Sequence, residues 1–500
     1  LHRKPTTMGK IIPELFREII QNASIKFQTP AISVAVIEDG EISFAEGFGS
    51  RTFGKNEEVT ADTSYAIASM SKSTVSTSLA MLREQNLFGW DDKVTKFLPD
   101  FRMADLFAGQ EMTVLDLLIH HCGLNSESAG TLWYGSDYSR EEVVRRVRYL
   151  RPVTGFRSTY AYQNVCYLIA GLIIEKICGM SWDDFICKYI FSPLEMERSF
   201  PNLKALQLSG MDNVATPHTQ LNGKLSVIPY RNHDNVGPAA SVHSTALDLA
   251  HYLQMFLNHG VYRGKVILQP ESVENLHSMH IVVPPAPAKD LIHPRLLTDF
   301  SGYGLGWFIQ DYQGKKRVGH SGGVDGMRGR MEIFPALNRG IVILTNSEDR
   351  RAYQSILYSA FDMFLESEPI DWINVWENDP EMKQTVTEPE RIPNTSPSLP
   401  DAAYTGVYED SAYGEIIVRK EAHRLILQFS HTPAFTADLE HWHFDTFRLI
   451  WHDPYIPRGL VTFSLNCEGK VESIHIDQPR LLDVDFNELD YAIRKKPDRD

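Results

Sequence analysis

Five cysteines in 500 residues, at positions 122, 166, 178, 187 and 467, are odd in number and scattered, with no C-x-x-C pair. That excludes a disulfide framework and a cysteine zinc cluster, and reads as reduced, mostly buried thiols. Long apolar runs are missing too. The longest, near Val165 to Ile174, falls far short of the roughly 20 residues that span a bilayer, so no membrane span is expected. Positive charge is in deficit, 49 Lys and Arg against 64 Asp and Glu, for a net charge of -15. This argues against nucleic acid or an anionic membrane as the main partner. No H-E-x-x-H occurs, and no glycine loop with a lysine precedes a helix, so neither a metal nor a nucleotide cofactor is expected. His441 and His443 on one strand read as a surface pair rather than metal ligands. The N-terminus has no apolar leader segment, so the expectation is a cytoplasmic chain as it stands, periplasmic or secreted if a leader has been removed.

What is present is 43% apolar content, enough for one domain of about 350 residues and a second of about 100. An amphipathic helix is predicted over 11–26, with Pro13 in its first turn. A hairpin follows, 31–37 with 41–48 around Asp39-Gly40. The text from Ser69 to about Asn275 is mainly helical. Strands return at 303–309, 315–318, 331–334 and 340–344, and a last helix is predicted over 349–365. The first and last strands share one antiparallel sheet only if the ends meet, which brackets the helical part as an inserted lobe. The fold class is therefore α/β (α+β), an antiparallel sheet flanked by helices. Residues 366–400 lose periodicity and read as a linker, with a short helix near Trp372 to Trp376. Beyond it six short runs (404–408, 415–418, 424–429, 447–451, 461–463, 471–476) predict a small all-β barrel or sandwich. The expected divisions are 11–365, 366–400 and 401–500.

The chemistry centres on Ser69-Met70-Ser71-Lys72. Residues three apart on a helix share a face, so the lysine amine reaches the serine hydroxyl, which needs an adjacent base to become a nucleophile. Alone the motif is weak, since a chain of this length holds about one Ser-x-x-Lys by chance. Tyr162-Gln163-Asn164 precedes the apolar run 165–174, and His320-Ser321-Gly322-Gly323 follows a short strand-like segment.

In this order the three segments resemble the signature motifs Ser-x-x-Lys, Tyr-x-Asn and Lys/His-x-Gly of the penicillin-recognising serine hydrolases. The similarity is to the branch holding class C β-lactamases, DD-carboxypeptidases, D-stereospecific aminopeptidases and related esterases. Met112 to Leu124 and Gly237 to Ala250 resemble further segments of that family, and the likeness covers about 11–365. The region after 400 resembles the lipocalin-like domain attached to some members. The resemblance implies an active site between sheet and helical lobe, with Ser69 as the acylated nucleophile. It implies Lys72 and Tyr162 sharing the base work, the phenol lowered by the charges of Lys72 and His320. Asn164, His320 and Gly322 would orient lysine or substrate, and the N–H groups of Ser69 and Gly323 would form the oxyanion hole. Tyr160 is a rival for the Tyr162 role. Histidine at 320, where many members have lysine, implies an ester or a D-amino-acid-containing peptide or amide as substrate more than a β-lactam.

Other readings compete. Gly319-His320-Ser321-Gly322-Gly323 also spells G-x-S-x-G, which would make Ser321 the nucleophile of an α/β-hydrolase, though the text after it reads as a hairpin rather than a helix. Cys122 beside His120 and His121 is a further, weaker nucleophile candidate. A weak β-lactamase, a penicillin-binding protein and a non-catalytic sensor or scaffold stay open, as does a homo-oligomer. The expected partner is a small-molecule or peptide substrate.

Overall fold

The computed structural model describes residues 9–126, 128–380 and 388–497. Helix α1 (Pro13–Lys26) begins with proline at its first turn, where the missing N–H costs no hydrogen bond, and buries Phe16, Ile20 and Ala23. Strands β1 (Ala31–Glu38) and β2 (Glu41–Gly49) are joined at Asp39 and Gly40, both with positive φ (55° and 85°), the turn whose twist matches a hairpin. All of β1 is buried, because it lies inside a sheet covered on both faces and its sequence AISVAVIE carries no polar alternation.

Between β2 and the remaining strands the chain makes a helical lobe. Its longest members among the described residues are α2 (Lys72–Glu84), α3 (Asn164–Cys178) and α4 (Ala246–Leu257). Helix α3 is the apolar run of the sequence. Residues 164–174 are all buried, and Gly179 at φ 73° stops it in the left-handed conformation glycine tolerates. Among the described residues no single helix is long and apolar enough to cross a membrane.

The chain then returns as β3 (Ile281–Val282), β4 (Ser301–Tyr303), β5 (Phe308–Tyr312), β6 (Lys315–Val324), β7 (Met327–Phe334) and β8 (Arg339–Thr345). The sheet order is β2-β1-β8-β7-β6-β5-β4-β3, so β1 pairs with β8 across more than 300 residues. Helices α1 and α5 (Arg351–Phe364) cover one face, with Phe16 edge-on to Phe44 and Phe361 edge-on to Phe334. The lobe covers the other.

Two local expectations need correction. The run 303–309 is two strands, β4 and β5, because residues 304–307 turn around Gly306 (φ 82°) and reverse the chain. And β6 runs to Val324 rather than ending at 318, so His320 to Gly323 lie within a strand.

After α6 (Trp372–Glu377), and beyond residues 381–387, which lie outside the described residues, the chain builds a closed eight-stranded barrel. Its strands are β9 (Gly406–Asp410), β10 (Gly414–Glu421), β11 (Arg424–Phe429), β12 (Thr436–His443), β13 (Thr446–Trp451), β14 (Gly459–Leu465), β15 (Val471–Asp477) and β16 (Ile493–Lys495). One of them, β16, was not legible, and β12 was legible only at His441 and His443. TADLEHWH and IRK carry too much charge to register as strands until the barrel supplies an apolar interior for their alternate residues.

The barrel sits against the lobe. Arg231 bridges Asp325 (3.1 Å) and Asp453 (2.7 Å), Arg146 donates to the carbonyls of Ala412 (2.6 Å) and Tyr413 (2.9 Å), and Tyr134 stacks on Phe435. One apolar core runs continuously from lobe to barrel, so the two behave as packed layers rather than tethered beads.

Candidate active site

Ser69 stands in a short 3-10 turn, Ala68–Ser71, that leads directly into α2. Ala68 has φ 50°, a left-handed conformation that costs a non-glycine residue about 1 kcal/mol or more. Surrounding bonds hold it there. The Ser71 hydroxyl donates to the Ala68 carbonyl (2.6 Å) and accepts the Val242 N–H (3.2 Å). From the sheet side, β6 presses on the turn so closely that a Cβ on Gly322 would lie 2.0 Å from the Ile67 carbonyl oxygen.

One turn on, Lys72 is 0% exposed. Its Nζ donates to Ser69 Oγ (3.1 Å), Asn164 Oδ1 (2.6 Å) and the Ala239 carbonyl (3.1 Å), and lies 4.6 Å from the centre of the Tyr162 ring. Burial disfavours the ammonium and lowers its pKa to about 7, an effect opposed by the negative charge of Asp483.

Tyr162 and Asn164 flank the start of α3. The Tyr162 hydroxyl is buried beside Ser69, with no other hydrogen-bond partner among the described residues, and burial, opposed in part by the Ser69 side chain, raises its pKa well above the ordinary value. The Tyr160 hydroxyl is also buried and, among the described residues, unpartnered, and its ring packs on His120 and Tyr303.

His320 does not supply the positive field expected of it. It is 1% exposed, with Nδ1 on the Ser321 carbonyl (2.6 Å) and Nε2 on the Tyr303 hydroxyl (3.1 Å). A carbonyl only accepts, so Nδ1 carries the proton and Nε2 accepts from Tyr303. Burial, with Lys72 nearby, pushes its pKa down to about 3, so the ring is neutral. With that charge gone, burial dominates at Tyr162 and favours its neutral phenol form.

Gly323 stands where β6 has outrun its neighbour. The β5 ladder ends at Phe308 opposite Gly319, so among the described residues the stretch 320–324 has no strand paired on that side. Ser321 is mid-strand, paired with Arg330, and the chain continues into another strand, so it occupies no strand-to-helix elbow. Cys122 is buried with its thiol against Cys166. Among the described residues no group of three or more His, Cys, Asp or Glu gathers in a way that could hold a metal ion, and His441 instead lies near the Phe444 carbonyl.

Two participants were not foreseen. His120, at φ 59°, is 0% exposed and its Nδ1 accepts the Gln163 N–H (2.9 Å), while its ring lies against Tyr162 at 4.5 Å. It thereby fixes the turn that carries Tyr162 and Asn164. A histidine at a turn is the signal that could have found it. The other is Asp483, contributed by the barrel, whose Oδ1 lies 3.5 Å from Asn164 Nδ2. Nothing in a local sequence window points to it.

Comparison with known proteins bears on the family and the fold. The family model described as Beta-lactamase matches residues 16–360, and one described as a domain of unknown function, DUF3471, matches residues 390–495. The chain is 27% identical over 450 residues to Unguisins hydrolase ungD' of Aspergillus campestris, covering 85% of this chain and 81% of that one. Among solved structures it resembles the octameric penicillin-binding protein homologue from Pyrococcus abyssi, with TM-score 0.62, 23% identity, and 94% and 99% of the two chains covered. It also resembles a D-stereospecific amidohydrolase from Streptomyces, with TM-score 0.55, 19% identity, and 69% and 98% covered. These two likenesses are of fold.

Proposed function

The chain belongs to the beta-lactamase family, and from that premise we propose that it is a serine hydrolase that forms an acyl-enzyme at Ser69 and cleaves an ester or a D-amino-acid-containing peptide or amide. The observation that carries the reading is the buried Lys72 amine, 3.1 Å from Ser69 Oγ, where burial lowers its pKa. A base matched to neutral pH beside a hydroxyl is what nucleophilic attack by serine requires.

In the proposed reaction neutral Lys72 takes the Ser69 proton as Oγ bonds to the substrate carbonyl carbon. The oxyanion is received by the N–H groups of Ser69 and Gly323, a type of interaction worth about 3 kcal/mol per donor. Tyr162, a neutral phenol between these groups, delivers a proton to the leaving group and recovers one from Lys72. Water then attacks the acyl carbon, loses its proton to Lys72, and Ser69 leaves protonated. Asn164 holds the Lys72 amine in place throughout. His320 is neutral and bonded inside the protein, so it offers no charge to the carboxylate of a β-lactam, which favours esters and amides.

The choice of amide or peptide is supported by the relatives, one a hydrolase of unguisins and one a D-stereospecific amidohydrolase by name. It is tested by turnover of paired D- and L-amino-acid p-nitroanilides and p-nitrophenyl esters, with Ser69→Ala as control. Turnover that prefers the D series and disappears in Ser69→Ala supports the reading. Turnover that survives Ser69→Ala refutes it.

A further inference from the structure

The connection from β15 to β16 leaves the barrel and lies across the catalytic domain. The Glu488 carboxylate receives the N–H groups of Ala129 and Thr131 (2.7 Å for the second) and the Thr131 hydroxyl. The backbone at Asp483 comes so close that a Cβ on Gly130 would sit 2.0 Å from the Asp483 carbonyl oxygen. Pinned at both places, the connection brings the Asp483 carboxylate 3.5 Å from Asn164 Nδ2, while Asn164 Oδ1 accepts from Lys72 Nζ at 2.6 Å. Chemistry fixes the direction of this chain. While Lys72 is protonated, an ammonium only donates and a carboxylate only accepts, so the amide turns its oxygen to lysine and its nitrogen to aspartate.

We propose that the barrel is a working part of the catalytic centre, with Asp483 as a positioning residue that holds the Asn164 amide in the orientation Lys72 needs and balances the charge of that amine. The inference rests on the reading of Ser69 and Lys72 as nucleophile and base.

The groups around Lys72 make the balance necessary. It faces the Ser69 hydroxyl, the Asn164 amide, the Ala239 carbonyl, the rings of Tyr162 and Tyr167, and two buried histidines, His120 and His320, neither of which supplies negative charge. Burial raises the Asp483 pKa, and the neighbouring Lys72, Arg328 and Asn164 oppose that rise while Asp325 adds to it. Without the carboxylate, burial acts on Lys72 unopposed and leaves a feebler base.

The test is the pH dependence of fluorophosphonate labelling at Ser69, and of ester kcat/KM, in the full chain. Asp483→Asn keeps the shape and removes the charge, and its acidic limb is expected about one unit below the wild-type limb. Asp483→Glu should restore the wild-type limb. Asp483→Ala, which frees the amide to turn, should lower kcat about tenfold. Thr131→Val, which loosens the docking without touching this charge, should keep the limb in place. An unshifted limb in Asp483→Asn overturns the inference, as does an unshifted limb with a raised KM confined to amine-bearing substrates, which would make Asp483 a substrate contact. An equal shift in Thr131→Val overturns it as well, in favour of domain docking alone. A wild type that takes no adduct at Ser69 at any pH overturns the hydrolase reading and this inference with it. Labelling with an unshifted limb overturns the inference alone.

Discussion

At the residue scale the account turns on the protonation of Lys72. Its pKa is lowered to about 7 in the folded chain, and only the neutral amine can take the Ser69 proton. Activity is therefore expected to fall on the acid side of pH 7 and to level above it, as a single ionisation in kcat/KM. A limb near pH 4 instead would point to a carboxylate base. Ser69→Ala should lower kcat/KM at least about a thousandfold, and Ser321→Ala, on a strand paired with Arg330, far less. The pair Ser69 and Lys72 is legible in sequence because helical spacing alone puts i and i+3 on one face. The charge of His320 is not. It depends on a Tyr303 hydroxyl and a Ser321 carbonyl that close on the ring only after two strands are in register, and on a burial that no local window shows. Asp483 is further out of reach, more than 300 residues from Asn164 and in another domain.

At the scale of elements, strand β6 is the rigid wall against which the nucleophile turn is set. Gly322→Ala would place a methyl 2.0 Å from the Ile67 carbonyl oxygen, so strand or turn must move. A displacement of that size at the nucleophile is expected to cost on the order of a hundredfold in kcat, with little change in circular dichroism. Wild-type activity in Gly322→Ala would mean the turn is not held by β6. His120 supports the opposite wall. His120→Phe keeps a ring against Tyr162 but leaves the Gln163 N–H without its acceptor, and denaturant unfolding should show a loss of about 1–3 kcal/mol. Hairpin β1–β2, helix α1 and helix α5 were readable because local turn chemistry and periodicity coincide with the tertiary outcome. The split of β4 from β5, the full lengths of β6 and β12, and strand β16 were not, because in each the neighbouring strand rather than the residue's own preference decides the conformation.

At the scale of the whole molecule, a three-layer domain and a barrel share the core on the lobe side of the sheet and meet at the proposed catalytic centre. The order of elements was enough to infer the inserted lobe and an all-β C-terminal unit. Their mutual docking was not, since it rests on single contacts such as Glu488 with Thr131. Gly130→Ala probes that docking without touching a side chain of the site. Its methyl would meet the Asp483 backbone, push the connection outward, and lower kcat/KM at pH 7 about tenfold while the chain stays folded. The central claim, however, is that Ser69 is the nucleophile, and it is tested most directly by treating the protein with a fluorophosphonate and locating the adduct by intact mass and peptide mapping. The account predicts one adduct per chain, on Ser69, lost in Ser69→Ala and in step with the loss of ester turnover. An adduct on Ser321, or none while turnover persists, would contradict it.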